Sequence, residues 1–174
     1  EVVQGLLEAT YKQQNWKSLV KKVDVFEGLI KSSRVEQRAL ALTGEAHEKL
    51  ENYKEAAVAY KAAANLKGSD ASEALFRLGF VSLNYLQDFE AAAKNFNDFS
   101  DQYKSDPKRP KATFNEAVCY FKSYSAGKES HHAKAIELFG NFVQANPRHE
   151  LVDTAQFNLG KLQHIQGDWM AAVK

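Results

Sequence analysis

A short pattern of residue types recurs along the chain, and this repetition limits the possible folds more than any other feature. Each copy has a turn residue, an aromatic residue directly after it, and a small or apolar residue three positions further on. The aromatic position falls at residues 16, 53, 89, 132 and 169, where 132 is a histidine, so the spacing is 36 to 43 residues. Repetition at this spacing predicts an array of similar units, each too small to bury its own apolar face.

Each copy also carries the spacing of two α-helices. After the aromatic position, apolar residues follow at steps of three, four and three, as Ala56, Tyr60 and Ala63 do after Tyr53. These steps trace one face of a helix. Nine or ten residues before the aromatic position, a second helical pattern has a glycine near its middle in three copies. Such a glycine costs about 1 kcal/mol relative to alanine, so its recurrence predicts close approach of a neighbouring helix. These glycines are Gly44, Gly79 and Gly160.

This arrangement resembles the tetratricopeptide repeat (TPR) family over nearly the whole chain. The resemblance implies an all-α, right-handed superhelical α-solenoid of about five helix-turn-helix repeats, the last one incomplete. The expected repeats span about 1–33, 34–68, 69–106, 107–147 and 148–174. The first repeat departs most from the pattern, and Ser123–Ser130 is predicted to insert about six residues between the helices of the fourth. The residues that carry the resemblance, besides the glycines, are Tyr53, Phe89, Trp169, Ala56, Ala92, Ala135, Ala172, Tyr60, Phe96, Phe139 and Pro147.

A narrower resemblance concerns the stretch from Ala135 to Gly160. It is similar to repeats in bacterial envelope proteins, the Tol-Pal-associated periplasmic coordinator and the lipoprotein of the outer-membrane β-barrel assembly machine. This favours the periplasm, although a single cysteine, Cys119, is equally compatible with the cytoplasm. A solenoid normally ends on a capping helix with a polar outer face, and neither terminus supplies one. We therefore expect a piece of a longer protein whose other parts could carry a signal, an anchor or a catalytic domain.

Composition and motifs argue against several function classes. Lys and Arg number 23 and Asp and Glu 22, so the net charge of +1 gives no general attraction for nucleic acid. No apolar run approaches the ~20 residues that a membrane span needs. Nucleophile elbow, phosphate-loop and His-Glu-x-x-His motifs are all missing from the sequence. We predict a chain that is not an enzyme and uses no cofactor.

Other residues suggestive of chemistry have simpler explanations. Neighbouring residues on a helix point about 100° apart, so His131 and His132 are not expected to share a metal ion. Cys119 is expected to be a buried, inert thiol. Glu45 and Glu48 are interpreted as part of a solvated face, and the basic stretch 104–111 as a solvated connector between helices.

The expected binding surface follows from the resemblance. In TPR arrays the first helix of each repeat lines a concave groove, and residues flanking its small position tend to face that groove. The second repeat supplies charged residues there, such as Arg38 and Glu45, whereas later repeats supply aromatic ones. An aromatic groove suits a partner peptide or an amphipathic helix, so we predict a protein-interaction scaffold. The candidate contact residues are Phe76, Phe80, Leu83, Phe114, Val118, Phe121 and Phe157.

Three alternatives remain open at this stage. Phe76, Phe114 and Phe157 could instead pack between adjacent repeats, whereas Phe80 and Phe121 are expected to be exposed. The chain could be a regulatory or substrate-docking region of a larger enzyme, or it could self-associate through its ends. The carboxylate clamp of chaperone-binding TPR domains is not expected, because its Lys and Asn positions hold other residues.

Overall fold

The structure, a computed structural model, describes residues 2–66 and 68–165, which fold into α-helices joined by short turns. The first and second helices predicted for the first, second and fourth repeats form and pack against each other. A π-helical turn, Ser82–Leu86, directly extends α6, and a short 3-10 helix, Glu129–His131, precedes α9. The α-helices are α1 Val2–Lys12, α2 Trp16–Val25, α3 Glu27–Ile30, α4 Glu36–Lys49, α5 Tyr53–Asn65, α6 Ala71–Val81, α7 Phe89–Gln102, α8 Arg109–Ser125, α9 His132–Ala145 and α10 Val152–Ile165.

The chain forms two compact units, Glu1–Gln87 and Asp88–Lys174, which we call the N-terminal and C-terminal units. First helices of the predicted repeats are α1, α4 and α6 in the N-terminal unit, and α8 and α10 in the C-terminal unit. Second helices are α2, α5, α7 and α9.

In the N-terminal unit, α5 packs against both α4 and α6, and α2 packs against α4. The apolar face of each helix supplies the core, as the spacing of the repeat predicts. Gly44 lies in the contact between α4 and α5, and a Cβ built there would lie 2.6 Å from Cδ1 of Tyr60. Glycine at this position therefore allows the close approach that the sequence predicts. The core of α1 to α4 consists of Leu7, Leu19, Ile30, Val35, Ala39, Leu42 and Ala46.

In the C-terminal unit, α8 packs against both α7 and α9, and α9 packs against α10. Phe96 and Phe99 of α7 are fully buried, as the helical steps from Phe89 predict. Around Gly160 of α10, no described atom lies within 4 Å of an added Cβ, apart from its chain neighbours and the nearby backbone of α10. The predicted aromatic residue of that repeat, Trp169, lies outside the described residues, as does Ala172. The core of α8 to α10 consists of Phe114, Ala117, Ala135, Phe139, Phe142, Ala155 and Leu162.

The turn between first and second helices has the same geometry in three repeats. Gln14, Glu51 and Gln87 each have a positive φ, 55°, 62° and 54°, two residues before the aromatic position. The next residue is the N-cap of the second helix, and in two repeats its side chain accepts a hydrogen bond from the first turn of that helix. Oδ1 of Asn15 accepts from the Ser18 amide at 3.2 Å, and Oδ1 of Asp88 from the Ala91 amide at 3.1 Å. The turn residues of the sequence pattern are thus helix caps.

The segment Ser123–Ser130 is divided between the end of α8, a short turn and the start of the 3-10 helix. This helix runs for 17 residues and continues to Ser125. Gly127, with φ of 100°, then turns the chain into the 3-10 helix. The additional residues therefore lengthen one helix by about a turn and leave only a short connection before α9.

The basic stretch 104–111 spans the connection from α7 to α8 and the start of α8. Pro110 lies in the first turn of α8, where a missing amide hydrogen costs nothing. Within 2–66 and 68–165, no helix is both long and apolar enough to cross a membrane.

Candidate protein-interaction surfaces

The three groove residues predicted in the N-terminal unit have different environments. Phe76 and Leu83 are buried, at 6% and 4% exposure. Phe80 is partly buried, and its ring makes an edge contact with the ring of Tyr85, 6.1 Å between centroids. The guanidinium carbon of Arg77 lies 5.9 Å from the Phe80 ring centroid, a cation–π contact. Of the three residues, Phe80 presents the most accessible side chain.

Tyr85 extends the aromatic surface in a way that the repeat pattern did not predict. It lies in the π-helical turn and is 43% exposed. Its ring stacks on that of Tyr53, with centroids 3.9 Å apart and an interplanar angle of 4°. A π-helical turn adds a residue within a helix and changes which side chains share a face. We call Tyr53, Phe80 and Tyr85 the aromatic cluster.

Arg38 joins three helices on the charged part of the N-terminal unit. Its Nε lies 2.7 Å from Oε1 of Glu8, and its Nη2 lies 3.2 Å from Oε2 of the same carboxylate. Nη1 also donates to Asp70 at 3.3 Å, directly before α6. The hydrogen bond from Arg38 holds the pKa of Glu8 below its ordinary value. A bidentate pair of this kind between an arginine and a carboxylate fixes the geometry of both side chains.

A second charged group lies deeper in the same unit. Nη2 of Arg77 is 2.8 Å from Oε2 of Glu48, and the Tyr60 hydroxyl donates to the same oxygen at 3.0 Å. The Glu48 side chain is only 10% exposed, so the prediction of a solvated face is wrong for this residue. Glu45 accepts a hydrogen bond from the Tyr11 hydroxyl at 2.7 Å. Arg38, Glu45, Tyr60 and Arg77 contribute to the lining of a cavity of about 360 Å³.

In the C-terminal unit, Phe114 belongs to the core. Its exposure is 7%, and its ring contacts those of Phe139 and Phe142, with centroids 5.9 and 5.4 Å away. This is the packing alternative considered for Phe114. Phe121 is partly buried and makes an edge contact with Phe139 at 6.4 Å. Val118 is likewise partly buried.

Phe157 differs from the other aromatic residues of this unit. Its exposure is 63%, and Nζ of Lys161 lies 4.4 Å from its ring centroid. Both side chains lie on α10, four residues apart, so they occupy neighbouring positions on one face of the helix. An exposed phenylalanine beside a cation therefore marks the first helix of the last predicted repeat.

The two adjacent histidines contact different groups, as the helical angle between them predicts. Nδ1 of His131 lies 2.8 Å from the Ser123 hydroxyl, whereas Nε2 of His132 lies 3.0 Å from the carbonyl oxygen of Leu162. The His132 ring also packs on Tyr124, consistent with its place in the aromatic position. Cys119 is fully buried, and burial raises the pKa of its thiol to about 12, which disfavours the thiolate.

Comparisons with known proteins identify the fold. No protein-family model matches the chain, and no curated protein sequence matches it significantly. Solved structures do match. YrrB, a TPR protein with an unusual peptide-binding site, superposes with a TM-score of 0.72 at 17% identity, over 98% of this chain and 79% of YrrB.

Two further TPR-like structures give similar matches. MamA from Desulfovibrio magneticus superposes with a TM-score of 0.70 at 15% identity, over 99% of this chain and 88% of MamA. TPR-like repeats of a putative kinesin light chain from Podosopora anserina superpose with a TM-score of 0.66 at 12% identity, over 98% of this chain and 88% of that one. The helix pairs, the small residue of α4 and these matches lead to one conclusion: the chain has the tetratricopeptide repeat fold.

Proposed function

We propose that the chain is a non-catalytic protein-interaction scaffold whose first helices bind a partner peptide or helix through aromatic side chains. One observation carries the proposal. Among the described aromatic residues, the two that are exposed are Tyr85 and Phe157, and each lies on a first helix or its π-helical extension. The remaining candidate residues also lie on first helices or on the π-helical turn: Phe76, Phe80 and Leu83 on α6 and its extension, and Phe114, Val118 and Phe121 on α8.

Exposed aromatic side chains are suited to this role. They bury a large area on binding while losing the freedom of only two side-chain torsions, and aromatic residues are enriched among those that dominate binding energy. Cations lie over two aromatic rings of the proposed surface: Arg77 over Phe80, whose ring contacts Tyr85, and Lys161 over Phe157. Such a pair accommodates an apolar side chain next to an acidic or carbonyl group of the partner.

A polypeptide is the class of ligand that we infer. The TPR fold is a common scaffold for protein–protein contacts, and YrrB combines this fold with a peptide-binding site. An amphipathic helix or an apolar peptide segment would present side chains at the spacing that a helical face can accept. The resemblance of the fourth and fifth repeats to envelope proteins leads us to propose a bacterial cell-envelope complex as its setting.

Affinity capture from the native source would test the proposal. The bait proteins are the wild type, Phe80→Glu, Phe157→Glu and the control Val58→Glu. Val58 is 70% exposed on the second helix α5, so its variant introduces the same charge at an apolar position outside the proposed surface. Phe121→Glu is less informative, because Phe121 contacts the core residue Phe139.

The expected result is a partner that the wild type and Val58→Glu retain and that Phe80→Glu or Phe157→Glu loses. Circular dichroism of each variant would show that helicity is unchanged. A partner lost with Val58→Glu and retained by both phenylalanine variants would move the binding surface to the second helices and overturn the proposal.

A further inference from the structure

A trench runs along α8 in the C-terminal unit, on the side of the helix that faces α7 and α9. Two cavities of about 470 Å³ each form it, and both have Asn97 of α7 and Glu116 of α8 in their walls. Because they share these residues, the cavities meet at Glu116. Polar side chains of all three helices complete the lining, among them Lys94, Ser123, Lys134, Asn141 and Asn146.

Glu116 is the unusual residue of this trench. Its exposure is 8%, yet within the described part of the chain its carboxyl group has no hydrogen-bond donor and no ion-pair partner. Burial raises the pKa of Glu116 to about 7, although the positive charge of Lys134 acts in the opposite direction. Among the described residues, the buried side-chain nitrogen or oxygen without a partner is Nδ1 of His47, so the Glu116 oxygens are open to the solvent of the trench. A ligand in the trench can therefore donate hydrogen bonds to them.

The cations at the edge of the trench already have other partners. Lys134 donates to Glu137 at 2.9 and 3.1 Å, and Lys94 pairs with Asp98. These residues therefore leave the two carboxyl oxygens of Glu116 available. An ionised carboxylate accepts hydrogen bonds through two oxygens, and its most favourable partner is a cationic donor.

We propose that this trench binds an extended polypeptide segment and that Glu116 accepts hydrogen bonds from an arginine or lysine side chain of that segment. The trench has the length for such a ligand. Arg109 and Ser123 line its two ends, and 14 helical steps correspond to about 21 Å, or about six residues of extended chain. Asparagine side chains along both walls offer donors and acceptors to the peptide groups of such a segment.

This site is separate from the aromatic first-helix surface. Glu116 lies two residues from both Phe114 and Val118, so its side chain leaves α8 about 160° away from theirs. The proposal therefore goes beyond the proposed function and would stand if the aromatic surface bound nothing. The C-terminal unit would then have two binding sites. One would bind apolar side chains of a partner, and the other would bind a basic residue.

Selection from a library of random hexapeptides, displayed on phage, tests the proposal directly. The wild type would be panned beside Glu116→Gln, which keeps the shape of the side chain and removes its charge. Glu129→Gln is the matched control, because Glu129 is exposed in the same unit and its variant has the same net charge. Thermal unfolding of each variant would establish that it is folded.

We expect the wild type and Glu129→Gln to enrich peptides with a basic residue at one fixed position. The affinity of Glu116→Gln for those peptides should be lower by between about tenfold and a hundredfold, the contribution of a hydrogen bond to a charged group. No enrichment of basic residues, or equal enrichment by Glu116→Gln, would overturn the proposal.

A second measurement uses only the wild type. The side-chain carboxyl carbon of Glu116, followed by NMR over pH, should titrate near pH 7 in the free protein. An enriched peptide should lower that midpoint, because a bound cation favours the ionised carboxylate. A midpoint that the peptide leaves unchanged would show that the peptide binds elsewhere, and the proposal would then fail.

Discussion

The ring of Tyr60 lies so close to Gly44 that a methyl group on the glycine would be 2.6 Å from Cδ1 and 2.7 Å from Cε1 of the ring. This contact between α4 and α5 gives the recurring mid-helix glycine a physical reason at Gly44. Glycine lowers the helix propensity of α4 at this position, but it allows the large ring of Tyr60 to pack against the helix backbone.

Gly44→Ala should accordingly destabilise the protein. Helix propensity alone would give a gain of about 1 kcal/mol, but displacement of the buried Tyr60 ring should cost about 1–3 kcal/mol, which leaves a net loss of up to about 2 kcal/mol. Urea unfolding measures the change. Gly140→Ala is the control, because Gly140 lies within α9 and its added Cβ meets no described atom within 4 Å apart from chain neighbours and the nearby helix backbone. The free energy of unfolding of Gly140→Ala should rise by up to about 1 kcal/mol. If Gly44→Ala were as stable as the wild type or more stable, the packing argument would be refuted.

Removal of the Glu48 carboxylate should affect stability more than removal of the Tyr60 hydroxyl. Glu48→Ala leaves both Arg77 and the Tyr60 hydroxyl without their shared acceptor, at a cost of about 1–3 kcal/mol. Tyr60→Phe keeps the ring and the ion pair of Glu48 with Arg77 and loses only the hydrogen bonds of the hydroxyl, at about 1 kcal/mol. Chemical denaturation of both variants gives the comparison, and equal losses would mean that the ion pair with Arg77 contributes nothing.

The pH dependence of stability should reveal the buried Glu116. Its pKa is about 7 in the folded protein against an ordinary value of 4.5, so the folded state binds the proton more tightly than the unfolded state. The free energy of unfolding should therefore fall as pH rises from about 4.5 to above 7. At pH 8 the cost should be about 1–3 kcal/mol, since solvent in the trench screens part of the effect.

Glu116→Gln should remove this dependence and be more stable than the wild type at pH 8. Urea unfolding of both proteins at pH 5 and pH 8 gives the comparison, since other titrating groups contribute alike to each. If the difference in stability between the two proteins were the same at both pH values, Glu116 would be no more buried than an ordinary surface carboxylate.

The recurring turn offers a test of backbone strain. Glu51 has φ of 62°, a conformation that glycine adopts without the steric cost that other residues bear. Glu51→Gly should raise the free energy of unfolding by up to about 1 kcal/mol. Lys54→Gly, in the first turn of α5, should lower the free energy of unfolding. Thermal unfolding would distinguish the two variants. If both were less stable than the wild type, the role assigned to the turn would be contradicted.

The sequence predicts most of the fold because the repeat encodes it locally. Asn15 and Asp88 cap helices directly after them, and the steps from Phe89 to Phe96 and Phe99 define a buried face that depends on helix geometry alone. The π-helical turn has no such signal. Nothing in residues 82–86 distinguishes them from ordinary helix, so the exposure of Tyr85 and its stacking on Tyr53 could not be predicted.

The burial of charged side chains could also not be predicted from the sequence. Glu48 and Glu116 each look like a surface carboxylate on a helix, yet one contacts Arg77 from a neighbouring helix and the other lies in a trench between neighbours. Their burial depends on which helix packs beside them and at what distance. Likewise, spacing places Phe114 and Phe157 at equivalent positions of their repeats, but Phe114 has Phe139 and Phe142 around it and is buried.

Photo-cross-linking would test the central claim, that partners bind the first helices through aromatic side chains. The photoreactive residue p-benzoylphenylalanine would replace Phe80, Phe157 or Val58 one at a time, and each protein would be irradiated in extract from the native source. We predict a cross-linked partner from positions 80 and 157 and none from position 58. A partner cross-linked from position 58 alone would contradict the account.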